Sequence, residues 1–344
     1  HSDFWNKICY NERHRKEGVF VKKYLPGVLL SFGIAAVSIF LGGLLPLIGS
    51  SVLAIVFGIV LNNSMKLPAA FQEGLSYSGK KLLQYSIIFL GFSMSIGQVS
   101  ETGISSLRIS LITILIAFLA AYLAGRFFKM KRVLTILIGF GTAICGGSAI
   151  AAASPILEAD EEEIALSIST IFFFNILAVF IFPFLGHLLQ MSDDFFGTWA
   201  GTAINDTSSV VAAGYTYSPS AGDLATIVKL SRALMIVPAC LIFAAYRYIK
   251  PKQSAQKTNL KQIFPWFIAW FVLASLISSL GFLPAAVIPY TKFISQWLMA
   301  MALAAIGAKV SFKQFKQAGA APLLTGAFAW FCVAVSSLII QYFF

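Results

Sequence analysis

The chain has 344 residues, of which 58% are hydrophobic and only 11% are charged, and its mean hydropathy is +0.83. In an ordinary soluble domain about a quarter of the residues are charged. The composition therefore excludes a soluble globular protein and predicts an all-α polytopic membrane protein. The formal net charge is +11, and most of the positive residues lie between apolar runs.

The predicted elements begin with a basic segment, residues 1–24, whose interspersed aromatic residues predict a position at the cytoplasmic interface. Residues 25–344 form one predicted transmembrane domain, because apolar runs recur along it. A run of about 20 residues crosses the roughly 30 Å hydrocarbon core as a helix. We predict eleven spans, which in chain order are 27–45, 50–62, 81–98, 104–126, 133–157, 164–187, 196–217, 224–247, 263–283, 290–312 and 318–343.

Lysine and arginine residues set the predicted orientation, because they gather in cytoplasmic loops. With the N-terminus inside, 20 of the 25 basic residues lie on the cytoplasmic side. The acidic run at 158–163 then lies outside, and the inside loop 187–195 contains no Lys or Arg. The count predicts a cytoplasmic N-terminus and an outside C-terminus.

The ten spans after the first divide into five and five, which is typical of an inverted repeat because five spans turn the second copy over. Residues 25–48 are the extra first helix, 49–190 the first repeat and 195–344 the second. The fourth span of each repeat contains an interruption of small residues, Gly139–Ser148 in one and Ala304–Ala308 in the other. We therefore expect two crossed broken helices.

The stretch GFGTAICGGSAIAAASP, residues 139–155, places glycines in the middle of an apolar run. Unwound backbone at membrane depth needs protein or a water-filled cavity to satisfy it, so a break here implies a site. Close helix packing through small residues is the alternative. The half-helix after a break would direct N–H groups and a positive dipole end at the gap, which suits an anion. The predicted binding residues of this stretch are Thr142, Cys145, Gly146, Gly147 and Ser148.

When the charged residues assigned to the loops and span ends on either side are set aside, the ionisable residues that remain are Asp206, Lys229, Arg232 and, near a span end, Lys309. Such groups are costly at membrane depth and usually mark a pathway or a partner. Arg232 lies about 12 Å into its helix at 1.5 Å per residue, so we expect it to bind the substrate. A structural pair with Asp206 is its alternative, and snorkelling is the alternative for Lys229. Lys309 either lines the site or belongs to the cytoplasmic charge cluster.

Asp206 stands in a polar stretch whose Asn205, Thr207 and Ser208 are further predicted substrate ligands. Two roles remain open for Asp206. It either neutralises Arg232 or Lys229, or it titrates as the group that couples transport to protons or sodium.

No cofactor and no metal site is predicted, because the four cysteines lie far apart without C-x-x-C or Cys/His spacing. The three histidines belong to no catalytic constellation, so we expect no enzyme. The run from Gly141 to Ser148 nearly matches a phosphate loop but lacks its lysine, which excludes nucleotide binding.

Three stretches, GFGTAICGGSAIAAASPIL from residue 139, WAGTAINDTSSVVAAG from residue 199 and KLSRALMIVPACL from residue 229, together resemble the YeiH-type sulfate exporter family of bacterial inner-membrane proteins. The resemblance covers the chain from about residue 25 onward. That family is grouped with sodium/proton antiporters and bile-acid symporters, so the resemblance implies a ten-helix core, crossed broken helices and alternating access. On this pattern Gly141–Ser148 corresponds to the first crossing helix and Ala304–Lys309 to the second. No Asp or Glu occupies 139–155, where proton antiporters of that superfamily keep exchanging carboxylates.

We therefore expect a secondary transporter of a small anion (sulfate, a sulfonate or a small carboxylate) in the bacterial inner membrane, coupled to protons or sodium. A cation/proton antiporter centred on Asp206 and a passive anion channel are the alternatives. We expect the anion, a coupling ion and membrane lipids as partners and no nucleic acid, and we leave a homodimer open.

Overall fold

The computed structural model describes residues 2–44, 49–65, 67–249, 264–311 and 319–343, with side chains of 2–22, 246–249 and 285 left aside. Helix is the regular structure of these residues. The α-helices are α1 Ser2–Leu44, α2 Gly49–Ser64, α3 Ala69–Tyr77, α4 Leu83–Gly91, α5 Ile96–Phe127, α6 Arg132–Ala143, α7 Gly147–Leu157, α8 Glu161–Leu188, α9 Asp193–Ala203, α10 Thr207–Tyr217, α11 Pro219–Ala233, α12 Ile236–Ile249, α13 Trp266–Ser279, α14 Ile288–Gly307 and α15 Ala320–Phe343. A π-helical turn, Ser78–Leu82, joins α3 to α4, and a 3-10 turn, Ala285–Val287, precedes α14.

Five helical segments among the described residues are long and apolar enough to cross a membrane. They are Lys23–Leu44, Ile96–Phe127, Glu161–Leu188, Pro219–Ala245 and Ala320–Phe343. This confirms the prediction of a helical membrane protein with several spans. It does not extend to eleven spans, because α2, α6, α7 and α13 are apolar but have only 10–17 residues.

The chain forms two compact units, of which the first contains His1–Leu90 and Ala286–Ser311. Inside it, α2 and α14 pack backbone to backbone, since a Cβ at Gly307 would lie 2.2 Å from the carbonyl oxygen of Ile55. The helix α14 is unbroken from Ile288 to Gly307. The predicted interruption within Ala304–Gly307 is therefore absent, and α14 ends at Gly307 with a turn at Ala308 and Lys309. Residues 312–318 lie outside the described residues, so the half-helix expected after Lys309 stays a prediction. The small residues of α14 allow close packing, which is the other explanation for such a run.

The second unit contains Gly91–Ala285 and Phe312–Phe344, and two interruptions between its helices position the candidate site. The first break separates α6 from α7 at residues 144–146, and the second separates α9 from α10 at residues 204–206. The interruption predicted at Gly146-Gly147 is thus present. Its counterpart lies at 204–206 and was not predicted.

The helices α6 and α7 fold back on each other as a hairpin, which we name the first hairpin (132–157). Lys131, just before α6, places its Nζ 3.7 Å from Asp160 and 3.9 Å from Glu162, which follow α7. A Cβ at Gly141 would lie 3.0 Å from the side chain of Ile150. In one straight helix, residues nine positions apart would be separated by about 13 Å. The segment 133–157 therefore returns to the end at which it starts.

The helices α9 and α10 form the second hairpin (193–217). The hydroxyl of Tyr217, at the end of α10, donates to the carbonyl of Met191, just before α9. The ring of Tyr217 also stacks on Phe196 of α9 with centroids 3.9 Å apart. The base of this hairpin is thus closed by contacts between its two ends, and segment 196–217 also fails to cross.

The long helix α8 shows that the bases of the two hairpins, where the chain enters and leaves each hairpin, lie at opposite ends of the second unit. Near its middle, Ile171 would touch a Cβ at Gly141 of the first hairpin, and further along Phe182 stacks on Trp199 of the second at 4.2 Å. We call the end where α5 finishes and α6 begins the basic end, because residues 126–132 include four basic side chains. The start of α9 lies at the opposite end, where Asp194 lines one cleft with Glu101 from the start of α5.

The hairpins correct the predicted topology. The prediction of crossed helices that each traverse the membrane is wrong for 133–157 and 196–217, and the five-plus-five repeat loses the two crossings it requires there. The physical reason is that the chain reverses direction at each break. The two ends of each segment therefore contact each other at the base of the hairpin. The acidic run 158–163 consequently lies at the basic end, beside Lys131.

Candidate functional site

The tips of the two hairpins meet inside the second unit. Gly146 has φ +66 and ψ −131, a conformation that only glycine adopts readily, and it turns the chain from α6 into α7. A Cβ at this position would lie 3.2 Å from the Cβ of Asp206 at the other tip. The backbone of one tip therefore contacts the side chain of the other.

Lys229 of α11 joins the two tips through its ammonium group. Its Nζ donates to the carbonyl oxygens of Ile144 and Ile204, each at 2.8 Å. These carbonyls follow α6 and α9, and the last carbonyls of a helix lack intrahelical partners and carry its negative dipole end. One cation thus satisfies an orphan acceptor from each hairpin. Lys229 is completely buried, so the alternative that it snorkels is wrong.

Arg232, one turn further along α11, donates hydrogen bonds to the first hairpin. Its Nε donates to the carbonyl of Ala143 at 2.6 Å, and its Nη2 donates to that of Thr142 at 3.4 Å. The side chain is completely buried. Its contacts are with the last carbonyls of α6 rather than with Asp206, so the structure does not support the predicted pair between these two residues.

Asp206 caps the helix that follows its own tip. Its carboxylate accepts from the backbone N–H and the hydroxyl of Ser208, an N-cap arrangement at the start of α10. Thr207 and Ser208 are buried beside it. The carboxylate is therefore committed to the helix N-terminus, where a negative charge is favoured.

Several polar atoms at the tips are buried without a hydrogen-bond partner among the described residues. They are Thr142 Oγ1, both amide atoms of Asn205 and Arg232 Nη1. An unpaired buried polar group costs about 1–3 kcal/mol. These atoms lie on three different segments that meet at the tips, so the tips offer unused donors and acceptors to a small polar ligand.

The remaining predicted site residues divide between the two units. Cys145 is buried at the first tip, whereas Gly147 is half-buried and Ser148 exposed at the start of α7. Lys309 belongs to the first unit, where its Nζ donates to the hydroxyl of Ser76 at 2.9 Å. The predicted site residues of the second unit therefore lie at the tips, next to them in the chain, or on α11, whereas Lys309 belongs to the first unit.

Comparison with known proteins gives the family. A sequence profile described as "Conserved hypothetical protein 698" matches residues 26–326. A UPF0324 membrane protein of Clostridium tetani is 41% identical over 338 residues, which cover 94% of this chain and 98% of the relative. Relatives of the same description from Streptococcus pneumoniae (42% identical, 94% and 98% covered) and Fusobacterium nucleatum (39%, 92% and 97%) also match.

The chain belongs to the UPF0324 family. The names of these bacterial relatives describe a membrane protein and state no substrate. The UPF0324 match includes both hairpins and α11, so the whole of the tip site lies within it. The finer resemblance to sulfate exporters goes beyond these names and remains an expectation.

One sequence signal in this UPF0324 chain could have located the second tip. Residues 141–153 and 201–213 are identical at seven of thirteen positions (141–144, 148, 152 and 153), beginning with Gly-Thr-Ala-Ile in both. Lys229 binds the carbonyl of the isoleucine in each copy. A repeat that relates the two halves of the chain does not align these copies, because they lie 60 residues apart and within one unit.

Proposed function

We propose that this UPF0324 protein is a secondary transporter of a small anion, and that the anion binds where the two hairpin tips meet. The observation that carries the proposal is the complete burial of two cations, Lys229 and Arg232, at tips that contain one carboxylate, Asp206. Buried charges need partners, and an excess of one sign favours a ligand of the other.

The charge balance at the tips supports an anion. Each helix end carries about half an elementary charge, negative at the C-terminus and positive at the N-terminus. The C-terminal ends of α6 and α9 and the N-terminal ends of α7 and α10 therefore cancel. The side chains leave about one positive charge, because two cations face one carboxylate. Since Asp206 already caps α10, we place the anion at the start of α7, beside Gly147 and Ser148.

Hairpins that open at opposite ends suit alternating access. A carrier must expose its site to each side of the membrane in turn. If one hairpin moved away from the other, a path would open from the tips to the side of the membrane where the base of the moving hairpin lies. We propose that the two hairpins are the two gates. The basic end would face the cytoplasm of the bacterium, because Lys and Arg gather on that side. The N-terminus would then be cytoplasmic and the C-terminus outside, in the inner membrane.

The proposed substrate class follows from the positive charge of the site and from the resemblance. Sulfate, a sulfonate or a small carboxylate would fit between a helix N-terminus and an arginine. We propose protons or sodium as the coupling ion, with surrounding lipids and a homodimer as further partners. We propose no enzymatic activity and no cofactor.

Cation/proton antiport is the second candidate, because Asp206 is an acidic group at the meeting point of the tips. Its contacts with Ser208 count against this role, since protonation would weaken the cap of α10. A passive anion channel is the third candidate and would use the same lining groups.

A binding screen followed by counterflow tests the proposal. Purified protein is heated with sulfate, thiosulfate, a sulfonate or a carboxylate, and a ligand that binds the folded state raises its unfolding temperature. Proteoliposomes loaded with the selected anion should then show saturable counterflow. Arg232→Gln should abolish it, whereas Lys292→Gln, an exposed residue of the first unit, should not. Sodium/proton exchange that needs no anion and survives Arg232→Gln would overturn the proposal, as would unitary currents.

A further inference from the structure

A cleft that is separate from the tips lies at the basic end of the second unit. It has a volume of about 540 Å³ and lies between α5, α6 and α12. Its lining includes Phe118, Tyr122, Arg126, Arg132, Ile136 and Phe243. The function proposed above does not use this cleft.

The deep wall of the cleft is aromatic. Phe118 and Phe243 lie 5.9 Å apart between ring centroids, and both pack on Phe140 of α6, at 5.1 and 4.8 Å. Phe140 is completely buried, whereas Phe118 and Phe243 are half-buried and form the surface of the cleft. An apolar ligand against this wall would lie in surroundings about as apolar as those of a lipid tail.

The mouth of the cleft is basic. Arg126 and Arg132 are both exposed, and Nη1 of Arg126 donates to the hydroxyl of Tyr122 at 3.4 Å. Lys131 beside them places its ammonium near Asp160 and Glu162. Guanidinium groups match the geometry of phosphate oxygens better than ammonium groups do. The cleft therefore combines an apolar wall with a cationic mouth, and these lie at the end of membrane-spanning helices.

We propose that this cleft binds an anionic phospholipid, with the phosphate at Arg126 and Arg132 and an acyl chain along Phe118 and Phe243. A zwitterionic lipid has the tail but carries a cation that the mouth repels. A free phosphate has the charge but leaves the aromatic wall unused. The inference is independent of the transported molecule, and it adds a role for the first hairpin, because α6 forms one side of the cleft.

Native mass spectrometry of the delipidated full-length protein in detergent tests the proposal. The probes are phosphatidylglycerol, phosphatidylcholine with the same chains, and inorganic phosphate. Phosphatidylglycerol should bind, and Arg126→Gln with Arg132→Gln should weaken its binding by about 25-fold, since each basic residue near a membrane surface contributes roughly fivefold. Lys129→Gln, an exposed neighbour outside the cleft lining, is the matched control and should retain most of the binding.

Ile136→Trp tests the apolar half of the proposal by filling the cleft, and it should also weaken binding while leaving both arginines in place. Equal affinity for the two lipids would overturn the proposal. So would inorganic phosphate that competes at the same concentration as the lipid, or a double-glutamine variant that binds as the parent does.

Discussion

Gly146→Ala is the most informative perturbation of the tips, because two features of the structure oppose it. The backbone at this position has φ +66 and ψ −131, and a residue with a side chain held in such a region costs about 1–3 kcal/mol. The added methyl would also lie 3.2 Å from the Cβ of Asp206, so the tips would have to separate by a few tenths of an ångström.

Gly147→Ala is the matched control in the same turn. Its φ is not positive, and the new methyl would lie 3.5 Å from the ring of Phe172, an ordinary contact. A Gly→Ala change that the native backbone accommodates stabilises the folded protein by about 0.4–1 kcal/mol, because it lowers the conformational entropy of the unfolded chain. The two variants should therefore differ by about 1–4 kcal/mol. Unfolding of both proteins in mixed micelles measures the difference, and equal stabilities would refute the turn described for the first tip.

Three further predictions, made with four variants, probe the contacts around the tips. Gly201→Ala should lower the unfolding temperature more than Gly141→Ala. The methyl at 201 would lie 2.8 Å from the backbone carbonyl oxygen of Ala225, whereas the nearest atoms to the methyl at 141 belong to isoleucine side chains, which can shift. The reverse order of unfolding temperatures would contradict the packing of α9 on α11. Lys229→Met should abolish transport and destabilise the protein, since two buried tip carbonyls lose their donor and each unpaired group costs about 1–3 kcal/mol; a fully stable, active variant would exclude the bridge. Asp206→Asn should cost only about 0.5–1 kcal/mol, because an amide oxygen still caps α10; anion flux that loses its ion dependence would assign coupling to this carboxylate, and unchanged flux would assign it a purely structural role.

Composition and local sequence were sufficient to predict the helical membrane protein and the first break. Long apolar runs can satisfy their backbone in a bilayer only as helices, and paired glycines within such a run allow a turn. The burial of Arg232 also followed from its distance into a helix. These features depend on residues close together in the chain.

The reversal of the chain at each tip depends on contacts that local sequence does not contain. Residues 133–157 form a crossing span and a hairpin equally well by hydropathy, and the difference lies in Lys131 meeting Asp160 across the base. The count of basic residues could not detect the error. Treating both hairpins as crossings changes the side of only the loops 158–163 and 187–195, and neither contains Lys or Arg. Every basic loop therefore keeps its predicted side.

The partner of the first tip was misplaced for a related reason. A run of small residues such as Ala304–Gly307 has the composition of a break, but it packs against α2 as a continuous helix. The true partner has the more polar sequence Asn205-Asp206-Thr207. Only the repeated Gly-Thr-Ala-Ile motif connects it to the first tip.

Labelling of single cysteines measures the hairpin topology, on which the whole account depends. Cysteines replace Lys129, Glu161, Glu101 and Gln190, one at a time, in a protein without its native cysteines, and a membrane-impermeant maleimide is applied to right-side-out and inverted vesicles. The account predicts that positions 129 and 161 are labelled from one side and positions 101 and 190 from the other. Labelling of 161 together with 101, and of 190 together with 129, would show that both segments cross the membrane and would contradict the account.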